Sequence, residues 1–400
     1  MRKVSLWRKL GTRVQLIIVC VLFLFLAASL FAVIRTQTSS SGSSGELPFT
    51  FIAPTPAPMP TPAQEIVIPD WDDLLIDTRP FSLLTGLHEY EEIITRRPIA
   101  VVIDNAFAAH PQSGVAEADI IYEVLAEGRT TRLIAIFQSR VPDKIGPVRS
   151  ARDHFVDFAF NHDAFFVHHG GSPTGYYRIR SLLGINAIDG MRYEGIVFWR
   201  DRSFPYWTEI TGRRLAEHSS YTGKYNLFRH INSRGIRGQF IGDAAHYGFR
   251  FGNTPLWLEP IQTDVGKVVI PFANAIYTAF TLNYVTGLYE VSHARGPLLD
   301  ENTKSQVSIA NILIQHTEIH VVDNQGRRNV RTVGSGTGYL IREGRVYSVR
   351  WEKSSHTSPM QWFFDDGTPL VLLPGRTWIN VLQTTALPKF HTEMGEPLDV

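Results

Sequence analysis

Twenty-one consecutive residues near the start of the chain, Val14 to Ile34, are apolar apart from Gln15 and Ser29. At about 1.5 Å of helical rise per residue such a run reaches about 30 Å, the thickness of a bilayer's hydrocarbon layer. A secretory signal peptide has a shorter apolar region closed by a small-residue cleavage site, whereas Ala27-Ala28-Ser29 falls inside this run. An uncleaved transmembrane helix over 14–34 is therefore expected. Cys20, the only cysteine, follows Val19 and lies well inside the run, which argues against lipidation there and leaves the rest of the chain without a disulfide. Arg2, Lys3, Arg8, Lys9 and Arg13 crowd the amino-terminal side, so the positive-inside rule puts a 1–13 tail in the cytoplasm and the bulk of the protein outside it.

The near-neutral total charge hides an asymmetry. Six of the 39 basic residues lie in the first thirty-five positions, which hold no acid, so the remainder carries 33 basic against 38 acidic residues, a net of −5. A slightly acidic body without a basic stripe argues against nucleic acid as the main ligand, because phosphate neutralisation needs clustered Lys and Arg. Residues 35–70 turn to Ser/Gly and then to Pro54, Pro56, Pro58, Pro60 and Pro62, a composition that buries too little apolar surface to fold. It reads as a linker that gives reach.

Folded sequence follows in two units, an α/β domain over 71–235 and a β-rich domain over 262–392. In the first, Ile99 to Ile103 is a short β-branched run that predicts a buried strand. It ends in Asp104-Asn105, residues placed either to line a crevice at the strand's carboxyl end or to cap a loop. Two further runs, Ala118–Gly128 and Thr131–Phe137, predict a hairpin in which Glu123 and Glu127 share a face with Ile121 and Leu125. The two carboxylates are either an acid pair or, with Arg132, a cross-strand ion pair. Ser150-Ala151-Arg152-Asp153 looks like a capping box opening a helix that carries Phe155, Phe158 and Ala159. Arg149 and Arg152 then flank a helix amino terminus suited to a carboxylate or phosphate, unless they pair with Glu123, Glu127 or Asp153 inside the fold.

Phe165 to His168 predicts another strand, followed by His169-Gly170-Gly171-Ser172-Pro173 and a helix, an arrangement through which backbone amides approach an anion. The loop lacks the Lys of a P-loop and the spaced glycines of a dinucleotide fold, and His168 and His169 point to opposite faces of a strand. Gly195 to Trp199 predicts one more strand, and His218 precedes a helix carrying Leu227 and Phe228. Beyond about 265, short Val/Ile/Tyr/Trp-rich runs alternate with turns such as Asp323–Gly326, Glu343-Gly344 and Asp365–Gly367, the pattern of a β-rich domain. Tyr347, Trp351, Trp362 and Trp378 are either a sugar-stacking stripe or core.

Taken together, several blocks resemble the YerB-like family of bacterial envelope proteins: Arg97 to Asn105, Pro111-Gln112-Ser113-Gly114, Glu127-Gly128 with Thr131-Arg132, Ile145 to Arg152, Gly170 to Pro173, and Pro374 to Trp378. The resemblance implies an exported, membrane-attached protein with an α/β first domain and a β-rich second domain, and no established reaction. Many relatives look like lipoproteins, and this chain departs from them in its uninterrupted anchor. It departs again at Pro297–Asp300 and around His218, where relatives carry a histidine after the proline and Pro and Asn flanks respectively.

The candidate catalytic residues are Asp104, Glu123 and Glu127. Candidate ligand-binding residues are Asn105, Arg132, Arg149, Arg152 and His218, joined by Ser150, His169, Gly171 and Ser172 and, within the family-like blocks, by Gln112 and Ser113. No cofactor and no metal ion is expected. Two readings follow: binding of a cell-wall polymer or of a wall synthesis or hydrolysis protein, or a carboxylate-dependent hydrolase or transferase acting on an anionic wall substrate.

Overall fold

The computed structural model describes residues 77–400, except 206–207, 209–211, 243–248 and 253–257. The expected tail, membrane helix and linker lie outside the described residues, and no described helix is long and apolar enough to cross a membrane. What is described is mostly sheet with few helices, and 75–400 form one compact unit.

The expected strand is β1, Ile99–Asp104, and the expected hairpin is β2, Ile120–Glu127, with β3, Thr130–Phe137. Helix α1, Asp153–Phe160, leads to β4, Phe165–His168; helix α2, Pro173–Ser181, leads to β5, Ala187–Asp189. Helix α3 is Lys224–Ser233. The second half supplies β6, Lys267–Ala273, β7, Ile276–Asn283, and β8, Leu288–His293. It continues with β9, Asn311–Thr317, β10, Gly334–Arg342, β11, Arg345–Lys353, β12, Gln361–Phe364, β13, Thr377–Gln383, and β14, Lys389–His391.

The two halves do not build separate principal sheets. Ten strands form one sheet in the order β12-β11-β10-β9-β13-β2-β3-β1-β4-β5. Its centre is parallel, with β13 between β9 and β2, and Glu123 lies beside Asn380 in register. A smaller sheet built on β8, β7, β6 and β14 covers one face together with α3. Alternation sorts the side chains: Ile99, Val101 and Ile103 of β1 face that layer, while Ala100 and Val102 face α1. Both faces are buried, which is why these strands read as continuous apolar runs. Glu343 and Gly344, at φ +49° and +71°, form the two-residue turn joining β10 to β11. Trp351, Trp362, Trp378 and Tyr347 are core residues, each 2% exposed or less.

Three local expectations need correction. The run Gly195 to Trp199 is not a strand: residues 195–197 turn, three successive amides donate to the Tyr193 carbonyl, Phe198 makes an isolated bridge to Glu194, and Trp199–Arg200 pairs with Ser220–Tyr221. Val197 and Phe198 are apolar because this turn packs into the core. The capping box does not form either; α1 begins at Asp153 with Arg152 as its cap residue and no side-chain cap bond. Finally, the β2–β3 register slips between Leu125 and Glu127. This bulge breaks the alternation, so Glu123 and Glu127 do not share a face.

Candidate functional site

The antiparallel pairing of β1 with β3 sets Asp104 opposite Arg132 at the end of the strand. Asp104 is buried, and its Oδ1 accepts the Ala106 amide at 3.0 Å. Oδ2 receives His218 Nδ1 at 2.6 Å and lies 3.2 Å from Arg149 Nε. Burial pushes the Asp104 carboxyl up, but the His218 hydrogen bond and the Arg149 charge outweigh it and hold the group below the usual range. An ionised carboxylate can only accept, so His218 Nδ1 carries the proton of this hydrogen bond and Nε2 faces away from Asp104. His218 and Asp104 are 114 positions apart in the chain, and no local pattern announces the pair.

The bulge swings Glu127 toward Arg132 and α1. Its carboxylate lies between Arg132 Nη2 and Arg152 Nη2, the latter at 2.5 Å, and Arg132 Nη1 donates to the Ser150 carbonyl at 2.6 Å. Burial, with Arg152 close by, pushes the Arg132 guanidinium down to about 9. Arg132 and Arg152 are buried, while the side chains of Arg149 and Glu127 are 24% and 29% exposed. Three arginines thus gather around two carboxylates, Asp104 and Glu127.

Glu123 sits elsewhere. It is buried between the two sheets, where Thr131 Oγ1 and Asn105 Nδ2 donate to Oε1 at 2.8 and 3.0 Å and Thr278 Oγ1 donates to Oε2 at 2.8 Å. Burial pushes its carboxyl up to about 7 against those hydrogen bonds. With both oxygens taken by neighbours, Glu123 ties layers together and presents nothing to a substrate. Asn105, Gln112 and Ser113 are internal ties as well: Gln112 Nε2 donates to Asn105 Oδ1 at 2.9 Å, and Ser113 Oγ to Glu301 at 2.8 Å.

The glycine loop does form as a strand, loop and Ser-capped helix, with Ser172 Oγ accepting the Gly175 amide at 3.0 Å. Its interior is already filled. Gly170 N donates to Asp189, the loop backbone pairs with Ala151, and a Cβ at Gly171 would lie 3.2 Å from the Tyr176 ring. His169 is likewise engaged: Arg200 Nη2 donates to its Nε2 at 2.9 Å, which puts the proton on Nδ1 facing Ser220 Oγ at 2.7 Å. His168 turns the other way, to the Gly170 carbonyl. Of the candidate residues, therefore, Asp104, Glu127, Arg132, Arg149, Ser150, Arg152 and His218 come together; the others serve the scaffold.

Comparison with known proteins agrees with this architecture. Residues 84–237 match the model described as "Protein of unknown function (DUF3048) N-terminal domain", and residues 268–379 match the corresponding C-terminal domain. The Bacillus subtilis (strain 168) protein named "Putative lipoprotein YerB" is 33% identical over 315 residues, covering 75% of this chain and 85% of that protein. The crystal structure of YerB from Bacillus subtilis superposes with a TM-score of 0.63 at 31% identity, over 76% of this chain and 97% of that one.

Proposed function

Because the chain belongs to the YerB-like family of DUF3048 proteins, whose membership brings a fold and no reaction, we propose that it is a membrane-attached extracytoplasmic protein that recognises an anionic group of a cell-envelope component. The lipoprotein name of the Bacillus relative and the apolar run at 14–34 both support membrane attachment, through a lipid in one case and a helix in the other. The observation that carries the binding reading is the imbalance of three arginines over two carboxylates, with the Arg149 side chain 24% exposed. An anion docking beside Arg149 completes the pairing and meets little desolvation cost, because the guanidinium is already held by Asp104 and by the Glu217 carbonyl at 3.0 Å.

Calorimetric titration of the full-length chain with phosphodiester- and carboxylate-bearing wall fragments tests this reading. Binding that weakens with salt and is lost in Arg149→Glu is the expected result. Indifference to both sinks it. A second reading, hydrolysis or group transfer, is favoured by one contact, the 2.6 Å Asp104–His218 pair, in which Asp104 orients His218 and Nε2 can take a proton from an attacking water or hydroxyl. Turnover of wall glycans or peptides that disappears in His218→Asn while binding persists decides for the enzyme.

A further inference from the structure

Another buried aspartate meets a histidine outside that site. Asp157, one turn into α1, is buried, and three groups from separate elements converge on it. Arg178 Nη1 reaches Oδ1 at 3.1 Å, and Thr332 Oγ1 and His356 Nδ1, the latter at 2.9 Å, meet Oδ2. As with His218, Nδ1 carries the proton of this hydrogen bond, and Nε2 has no hydrogen-bond partner among the described residues, on a side chain that is 42% exposed.

These groups border an open cleft of about 250 Å³. Asp153 and Arg178 come from the first half of the chain, and Glu318, His320, Arg331 and His356 from the second. Sites of this kind form preferentially where two structural units meet, and this one is smaller than the cavities that hold drug-sized ligands. Arg331 is occupied by the Val333 and Ser335 carbonyls. Arg178 uses only Nη1 for Asp157, and among the described residues its Nε and Nη2 have no hydrogen-bond partner. Asp153 is held through Oδ1 by His154 at 3.3 Å, with the Arg178 charge nearby and no hydrogen bond at Oδ2 among the described residues; Glu318, exposed at the rim, lies 3.6 Å from Arg331 Nε and 3.9 Å from His320 Nε2.

The cleft therefore offers the free edge of the Arg178 guanidinium, the Asp153 carboxylate, a rim carboxylate that Glu318 shares with Arg331, and His356 Nε2, within the space of about one or two amino-acid residues. A plain anion meets repulsion from Asp153 and Glu318, and a plain cation from Arg178 and Arg331. A neutral sugar finds no Trp, Tyr or Phe ring among the lining residues to stack on. No group of three or more His, Cys, Asp and Glu that could hold a metal ion occurs among the described residues. We propose that this cleft binds a small zwitterion, a free amino acid or a dipeptide with both termini charged, its carboxylate on Arg178 and its ammonium between Asp153, Glu318 and His356 Nε2.

The test is titration of the full-length chain with alanine and alanyl-alanine in both L and D forms, followed by calorimetry and by the His356 ring signals in NMR. N-acetylated and C-amidated alanyl-alanine and N-acetylglucosamine serve as controls. The uncapped forms are expected to bind and to move the His356 signals, with each capped form weaker by about tenfold or more. Glu318→Gln, at an exposed position that folding tolerates, is expected to weaken binding, and Arg149→Glu to leave it unchanged, which separates this site from the Asp104–His218 site. Silence from every zwitterion at millimolar concentration, equal binding of the capped forms, or preference for the sugar overturns the proposal.

Discussion

Glu123 shows how much a single buried group can determine. Its folded-state acidity constant near 7 lies above the ordinary glutamate value, so the folded protein holds this proton more tightly than the unfolded chain does. The stability it contributes is complete below the unfolded value of about 4.5 and is lost as pH rises through about 7. Glu123→Gln removes the ionisation without removing the hydrogen-bonding shape. Relative to wild type, the variant is expected to gain stability between pH 5 and 8 in urea titrations followed by tryptophan fluorescence; a constant difference across that range contradicts the assignment. Glu123→Leu, by contrast, strands Thr131, Asn105 and Thr278 and is expected to cost about 1–3 kcal/mol or more at neutral pH. The sequence leaves the carboxylates of this strand as an acid pair or an ion pair with Arg132, whereas the partner Thr278 lies 155 positions away. In the same way Asp157 stands out as an acid on the apolar face of α1, while His356, in a serine-rich loop, carries no local signal at all.

At the scale of elements, the strands were legible because a strand covered on both faces must be apolar along its length, as β1 and β4 are. The same rule misled at Gly195 to Trp199, where a buried turn mimics a buried strand. Alternation failed at Glu127 because a bulge is invisible to a period-two count. That bulge is open to experiment. The carboxylate it presents can be removed: Glu127→Leu leaves two buried guanidiniums, Arg132 and Arg152, without their shared partner. A loss of about 3–5 kcal/mol is expected, as for other broken buried pairs; an unaltered melting temperature contradicts the role given to this carboxylate. Close strand approach makes a second case. A Cβ at Gly338 in β10 would stand 1.9 Å from the Ile314 carbonyl oxygen of β9, so Gly338→Ala is expected to destabilise by about 1–3 kcal/mol in the same assay.

At the scale of the molecule, the family's two matched segments share the ten-stranded sheet. Strand β13 from the second segment forms its parallel ladder with β2 of the first, and nothing in either run of sequence encodes that partnership. Residues 77–237 or 262–392 expressed alone are therefore expected to be insoluble or molten, with native near-ultraviolet dichroism returning only when both are produced together. The intact chain is expected to lose fluorescence, far- and near-ultraviolet signals in one coincident transition; two separated transitions contradict the shared sheet.

The position of β13 also sets a timetable. It is the last of the ten strands to be synthesised and it fills the middle of the sheet, with β9 on one side and β2 on the other. Until the ribosome has passed residue 383, each half keeps a raw edge facing its absent neighbour, a condition that invites aggregation. A nascent chain of this protein must therefore wait, unfinished at its centre, and a stop codon anywhere upstream of Thr377 removes not a tail but the seam.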